Sequence, residues 1–201
     1  MFVKISYIER TGRYKIRVTL ADRDSFILSD KEWKRYDRSV GDELSEEELT
    51  ELYKESFLPK AKLRALNLLK VRDRSRSELI QRLKTDGYPE EVIKDAIAYI
   101  DRYHYLDDER FTKNYIDYRS SSKSLKELEY ALSKKGIDLK DMAEKTDIEL
   151  PNDRDTIQKI IEKKWRGKEP DKNEKDKMMR YLGRRGFRCS DIFSVYSNMG
   201  I

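Results

Sequence analysis

The chain has 201 residues, 41% of them charged and 37% hydrophobic, a balance that suits several thin helical cores better than one thick core covered on every side. One cysteine, Cys189, and one histidine, His104, exclude an internal disulfide and leave no Cys/His cluster for zinc. No run approaches the roughly 20 apolar residues of a membrane span and the N-terminus is charged within four residues, so a cytoplasmic protein without metal, cofactor or membrane partner is expected.

Net charge is +5, a mild pointer to a polyanionic partner, and its distribution says more. Residues 1–58 carry 11 Lys and Arg against 13 Asp and Glu, whereas residues 59–201 carry 33 against 26. The positive excess therefore lies entirely in the second stretch.

Apolar and polar positions alternate over residues 2–28, through Val3, Ile5 and Tyr7, then Tyr14, Ile16, Val18 and Leu20, then Phe26 and Leu28. Period two predicts three strands, with turns at Thr11-Gly12 and Ala21-Asp22. So small a sheet needs a helix against one face. Asp30 to Trp33 reads as an N-capped helix start, and Ser45 to Leu49 as another with carboxylates in its first turn. Residues 1–58 are thus expected to form a small α+β module, and Pro59 marks its end by sitting in the first turn of the following helix.

The rest of the chain repeats. Leu79, Leu83, Gly87 and Tyr88 recur as Leu128, Leu132, Gly136 and Ile137 after 49 residues, and as Met178, Leu182, Gly186 and Phe187 after another 50. Each glycine is placed as a left-handed residue closing a helix. In the first repeat, residues 59–105, Leu63, Leu66 and Leu69 with Ala65 predict one helix, and Ser75 or Ser77 caps a second carrying Leu79, Ile80 and Leu83. Pro89 opens a third, with Val92, Ile93, Ala96, Ile97 and Ile100 on one face. The second repeat, residues 106–150, starts at Leu106 to Phe111, with Phe111, Tyr115, Ile116 and Tyr118 as its inner face. Ser124 caps its next helix, Leu139, Met142 and Ala143 form the third, and residues 146–155 read as a linker. The third repeat, residues 151–201, uses Ile157, Ile160, Ile161 and Trp165, then Met178, Met179 and Leu182, then Ile192, Phe193, Val195 and Tyr196. The expected fold is mainly α: three tandem three-helix repeats in an elongated, curved array behind a small β-containing module.

Lys60, Lys62, Arg64, Lys70, Arg72, Arg74 and Arg76 set seven cations against Asp73 alone within 17 residues. Lys123, Lys126, Lys134 and Lys135, then Lys175, Lys177, Arg180, Arg184 and Arg185, hold related positions in the later repeats. Stacking would align them into a stripe suited to a long polyanion, bound through counterion release without reading sequence. For a single lysine, a solvated helix face is the plainer explanation. Most of the tyrosines, Tyr88, Tyr99, Tyr103, Tyr115, Tyr118 and Tyr196 among them, fall at helical or repeat spacing and read as packing residues rather than base-stacking ones. Asp107-Asp108 has no second acidic pair or phosphate loop beside it and reads as a helix cap; no catalytic site is expected.

RSRSELIQRLKTDGY, then YLDDERFTKNYIDYR, then a triplet ending RRGF, resemble the bacterial RecX family from about Leu63 to the C-terminus. The stretches Arg74 to Leu79 and Leu106 to Phe111 are the most specific, and Thr112 departs from the alanine usual after Arg-Phe. The resemblance implies a non-enzymatic modulator of RecA in recombination, repair and the SOS response. It implies binding to RecA filaments on single-stranded DNA, with duplex DNA as a second polyanion, the array lying in the filament groove and inhibiting strand exchange, ATP hydrolysis and coprotease activity. A monomer is expected. The candidate DNA- or filament-binding residues are Lys70, Arg72, Arg74, Arg76, Lys123, Lys126, Lys134, Lys135, Lys177, Arg180, Arg184 and Arg185. The alternative is an independent helix-turn-helix protein reading duplex DNA through the Ser75–Gly87 helix, with Gln81 and Arg82 facing the bases.

Overall fold

The computed structural model describes residues 2–21 and 25–201, and the chain forms two compact units, Met1–Leu106 and Asp107–Ile201. The first begins with strands β1 (Phe2–Gly12), β2 (Lys15–Leu20) and β3 (Phe26–Ser29), helix α1 (Asp30–Trp33), and a short strand β4 (Glu43–Ser45) that the alternation did not announce. They pair antiparallel in the order β3-β2-β1-β4. The first turn is at Arg13-Tyr14, a step later than expected, and Asp22 of the second lies outside the described residues. A register shift between Ile5 and Tyr7 turns the strand, so Tyr7 is exposed while Val3 and Ile5 are buried.

Helix α2 (Glu46–Glu51) runs into a π-helical turn, Leu52–Phe57, and on into α3 (Leu58–Val71) without leaving helical backbone. Pro59, near the start of α3, has no N–H to give, and the wider turn just upstream shifts the hydrogen-bond register, with Leu58 N–H reaching the Tyr53 carbonyl. On α3 the buried stripe is Ala61, Ala65 and Leu68, whereas Leu63 is exposed and Leu66 and Leu69 are half-buried. Small residues occupy the line of closest approach to α5 (Glu90–Arg102), which follows α4 (Arg76–Thr85). One core joins the sheet to these helices: Val3, Ile5, Val18, Phe26 and Leu28 cluster with Phe57, Ala61, Val92 and Ala96. A second cluster contains Ala65, Leu79, Leu83, Ile93, Ile97 and Ile100.

The second unit contains α6 (Asp108–Arg119), α7 (Leu125–Ser133), α8 (Leu139–Lys145), α9 (Asp153–Trp165), α10 (Lys172–Arg184) and α11 (Cys189–Met199). Phe111, Ile116, Leu128, Leu132, Ile137 and Leu139 form one core, which also takes Ile148 from the stretch expected to be a linker. Ile157, Ile161, Trp165, Met178, Leu182, Phe187, Ile192, Val195 and Tyr196 form the other. Tyr118 and Phe193, expected inside, are exposed. Thr112 is buried, and its hydroxyl donates to the Asp108 carbonyl at 2.7 Å, which satisfies it within its own helix.

The sequence repeat has a local physical cause. Gly87, Gly136 and Gly186 have φ of 86°, 74° and 88°, and each N–H bonds a carbonyl three residues back, at 3.0 Å in all three. The next N–H, of Tyr88, Ile137 or Phe187, bonds the carbonyl of Leu83, Leu132 or Leu182 at 3.2, 3.0 and 3.2 Å. This is the Schellman closure, in which the residue after the glycine also packs on the last core leucine. Leu-x-x-x-Gly-apolar is therefore a helix stop that returns the chain to its own core.

Candidate nucleic-acid interface

The arginines of the first repeat cluster where α3 ends and α4 begins. Ser75 caps α4 in a reciprocal box with Glu78, which fixes the turn between the helices. Within this frame most of the cations have partners. Arg76 makes a bidentate pair with Asp101 of α5, at 2.5 and 2.8 Å, and Arg72 lies 3.5 Å from Glu78. Arg64 pairs with Asp86 at 2.7 Å, and Lys60 pairs with Glu32. Arg74 is half-buried, and its Nε has no hydrogen-bond partner among the described residues. Burial lowers its pKa, and the Arg72 charge adds to the shift. Lys70 is exposed.

Glu32 is the anchor between the small module and α3. Burial raises its pKa, but hydrogen bonds from Lys60, Ser29 and Ser56 outweigh that and hold it at about 2.

Arg185 is the equivalent anchor of the second unit. From the C-terminus of α10 it grips Glu127 of α7 at 3.1 and 2.7 Å and also donates to the Ser122 carbonyl. Ser124 donates back to the Arg185 carbonyl at 2.6 Å, and Glu127 closes the capping box of α7. The Glu127 carboxyl is raised by burial and lowered more strongly by Arg185 and the Ser124 N–H, with a net downward shift. Arg185 is raised, chiefly by its bond to Glu127. Leu125 N–H to Asp153 (2.7 Å) and Thr156 Oγ1 to the Ser120 carbonyl (2.8 Å) add two further ties between α6–α7 and α9.

The remaining candidates divide. The stem of Lys126 lies against Gly186, Lys134 sits over the Tyr130 ring, and Lys135 sits over Phe111 and Tyr115. Lys123 is half-buried, Arg180 donates to its own helix at Asp176, and Arg184 is exposed. Lys177 lines a cavity of about 1010 Å³ between α9 and α10. Four cations that the sequence reading did not single out join it there: Lys159, Lys163, Lys164 and Arg166. Their signal was the run from Lys159 to Lys168, which holds Glu162 as its only acid. That run lies outside the positions compared between repeats.

Tyr103, Tyr118 and Tyr181 are exposed, so the packing expectation fails for the first two; Tyr196 is buried and Tyr88, Tyr99 and Tyr115 are half-buried, as expected. Asp107 caps α6, accepting from Arg110 N–H at 2.8 Å. No group of three metal-ligating side chains and no helix long and apolar enough to cross a membrane occurs among the described residues.

Family models for "RecX, first three-helix domain" and "RecX, third three-helix domain" match residues 61–99 and 152–196. A regulatory protein RecX from Prosthecochloris aestuarii is 31% identical over 66% of this chain and 89% of its own length. This chain belongs to the RecX family. The regulatory protein RecX of Clostridium tetani is 27% identical and covers nearly everything, 98% of this chain and 94% of that protein. A crystal structure of RecX from Lactobacillus salivarius superimposes with a TM-score of 0.60 at 24% identity, over 72% of this chain and 97% of that one, which supports the fold. As a RecX-family member the chain is a regulatory protein and not an enzyme. The motif residues carrying the family resemblance, Ser75, Arg76, Glu78 and Asp107, serve here as caps and ion-pair members.

Proposed function

We propose that this RecX-family protein regulates RecA by binding RecA filaments on single-stranded DNA, lying along the filament groove and inhibiting strand exchange, ATP hydrolysis and coprotease activity. The observation that carries the reading is full-length similarity to regulatory protein RecX, N-terminal module included. Cations on the surface of both units supply sequence-independent contacts to a phosphate backbone, with Lys70, Lys177 and Arg184 exposed and in no ion pair or ring contact among the described residues. Arg72, Arg74 and Arg76, with Lys123, Lys126, Lys134, Lys135, Arg180 and Arg185, stand beside them as candidates, most of them already engaged by a carboxylate, a ring, a neighbouring backbone or their own helix. Inhibition is steric and electrostatic: a bound array blocks protomer addition, coupling between protomers, or access of substrate DNA and repressor. The repeats act as a monomer in the cytoplasm, on single-stranded DNA first and duplex DNA second. A helix-turn-helix reading of α4 has less support, because Arg76 is held by Asp101 and Arg82 lies 3.5 Å from Asp86.

The test is RecA-dependent ATP hydrolysis on single-stranded DNA with and without this protein. A reduced rate at stoichiometric amounts is expected; an unchanged rate sinks the proposal.

A further inference from the structure

The cavity between α9 and α10 combines two kinds of surface. Lys159 and Lys163 stand one helical turn apart on α9, about 6 Å along its axis, with Lys164 and Arg166 beside them and Lys177 across on α10. None of these five side chains makes an ion pair among the described residues. The carboxylate in the lining, Glu174, already serves the capping box of α10 by accepting from Asp171 N–H. The rest of the lining includes apolar and aromatic side chains, Ile160, Met178, Trp165 and Tyr181. Tyr181 keeps 42% of its surface exposed and has the Arg185 guanidinium 5.4 Å from its ring centre.

Five cations without an ion pair against one carboxylate, Glu174, leave the concavity with a net positive potential. An inorganic polyanion would use the cations and leave the apolar and aromatic lining uncovered. A nucleotide has both complements, phosphates for the lysines and a flat base for the aromatic side chains. We infer that this cavity binds nucleotides, with the phosphates on Lys159, Lys163 and Lys177 and a base against Tyr181 and its apolar neighbours. The inference deepens the filament reading and rests on it for the source of the ligand, which there is a stretch of single-stranded DNA. A free nucleoside triphosphate has the same chemistry.

Trp165 lines the cavity and the other tryptophan, Trp33, lies in the core of the first unit, so the full chain carrying Trp33→Phe reports the cavity through one fluorophore. At low salt, an oligo-dT strand or ATP changes Trp165 emission, and Lys159→Glu with Lys163→Glu weakens that binding at least tenfold. The salt slope of strand binding falls by about 1.4 for the pair, since each single-strand phosphate contact contributes about 0.7. Lys177→Glu, on the facing helix, weakens binding independently. The control, Lys31→Glu with Lys34→Glu on the first unit, removes equal charge and changes affinity less than threefold. Strand binding without ATP binding assigns the site to DNA, and the reverse assigns it to a free nucleotide. The inference is overturned if neither ligand perturbs Trp165, if polyglutamate competes as well as either, or if the control weakens binding as much as the cavity variant. RecA-dependent ATP hydrolysis separates the two readings. If the parent chain inhibits RecA and the cavity variants bind nucleotides unchanged, the cavity alone is wrong. If the variants lose nucleotide binding and the parent leaves RecA unaffected, the filament reading alone is wrong.

Discussion

The first and third repeats share one skeleton and differ in how many of their cations meet a carboxylate. In both, a capped helix ends in a left-handed glycine beside a close neighbour, Ile27 of β3 at Gly87 and Lys126 of α7 at Gly186. The first repeat then spends its arginines on ion pairs, with Arg64, Arg72 and Arg76 each facing a carboxylate, and so does Arg185 at the end of α10. Lys159, Lys163, Lys164 and Arg166 of the third repeat have no such partner among the described residues. The density of cations along a sequence therefore does not report the charge left over for a ligand; the carboxylates brought up by the fold decide that.

The largest contrast should come from the glycines. In Gly87→Ala a methyl group would meet the Ile27 side chain, with even Ile27 Cβ only 2.9 Å away, on a backbone at φ 86°. Strain and overpacking together should cost about 2–4 kcal/mol. Gly186→Ala has the same backbone penalty, but the nearest atom is Cδ of a flexible lysine at 3.0 Å, so about 1 kcal/mol is expected. Each unit carries its own tryptophan, and denaturant unfolding followed through Trp33 and Trp165 measures the two costs separately. Equal losses would show that the Ile27 contact yields as easily as the lysine.

Next come the paired arginines. Arg185→Ala strands Glu127 and the Ser122 carbonyl in a partly buried site and should cost about 2 kcal/mol in the second unit. Arg76→Ala opens a more exposed pair, with the arginine 47% accessible, and should cost under about 1 kcal/mol. Glu127→Gln added to Arg185→Ala should recover part of the loss, because the stranded charge is gone; no recovery would mean that packing, not charge, holds α10 to α7.

Acid separates the anchors in a third way. Glu32 has its folded pKa depressed from 4.5 to about 2, so the stability it contributes is present above pH 4.5 and is lost as pH falls from 4.5 toward 2. Unfolding followed through Trp33 should therefore weaken across that window, and Glu32→Gln should flatten the dependence. Glu127, also lowered, should give the second unit an acid slope of the same sign. A slope at Trp33 unchanged by Glu32→Gln would place the sensitive carboxylate elsewhere.

What could be read from the sequence follows the range of the interaction involved. The glycine pattern was legible because a Schellman closure is complete within six residues and tolerates few substitutes at the left-handed position. The capping serines were legible for the same reason. Leu63 was misjudged because greasiness marks candidates for burial, whereas the approach of α5 selected Ala61 and Ala65. Tyr7 was misjudged because a bulge breaks the period of two. The pairing of Arg76 with Asp101, 25 residues away, and of Arg185 with Glu127, 58 residues away, cannot be seen in any local window. The cations of α9 are visible as a run, but whether any carboxylate reaches them depends on packing that a local window does not contain.

The smallest effect on stability should come from the α9 lysines, and it tests the comparison most directly. Lys159 and Lys163 are exposed and bridge to no carboxylate among the described residues, so replacing both with alanine should move stability by less than about 0.5 kcal/mol. Changing Arg72, Arg74 and Arg76 to glutamate, by contrast, sets Arg76→Glu against Asp101 and Arg72→Glu against Glu78, so binding lost in that variant cannot be separated from structure lost with it. Lys70→Glu is the cleaner probe of the first repeat, being exposed at the end of α3. If the α9 pair lowers affinity for single-stranded DNA at unchanged stability while Arg76→Ala lowers stability at unchanged affinity, charge for binding and charge for folding occupy different repeats. A loss of stability from the α9 pair matching that of Arg76→Ala would mean that those lysines are held by the fold after all.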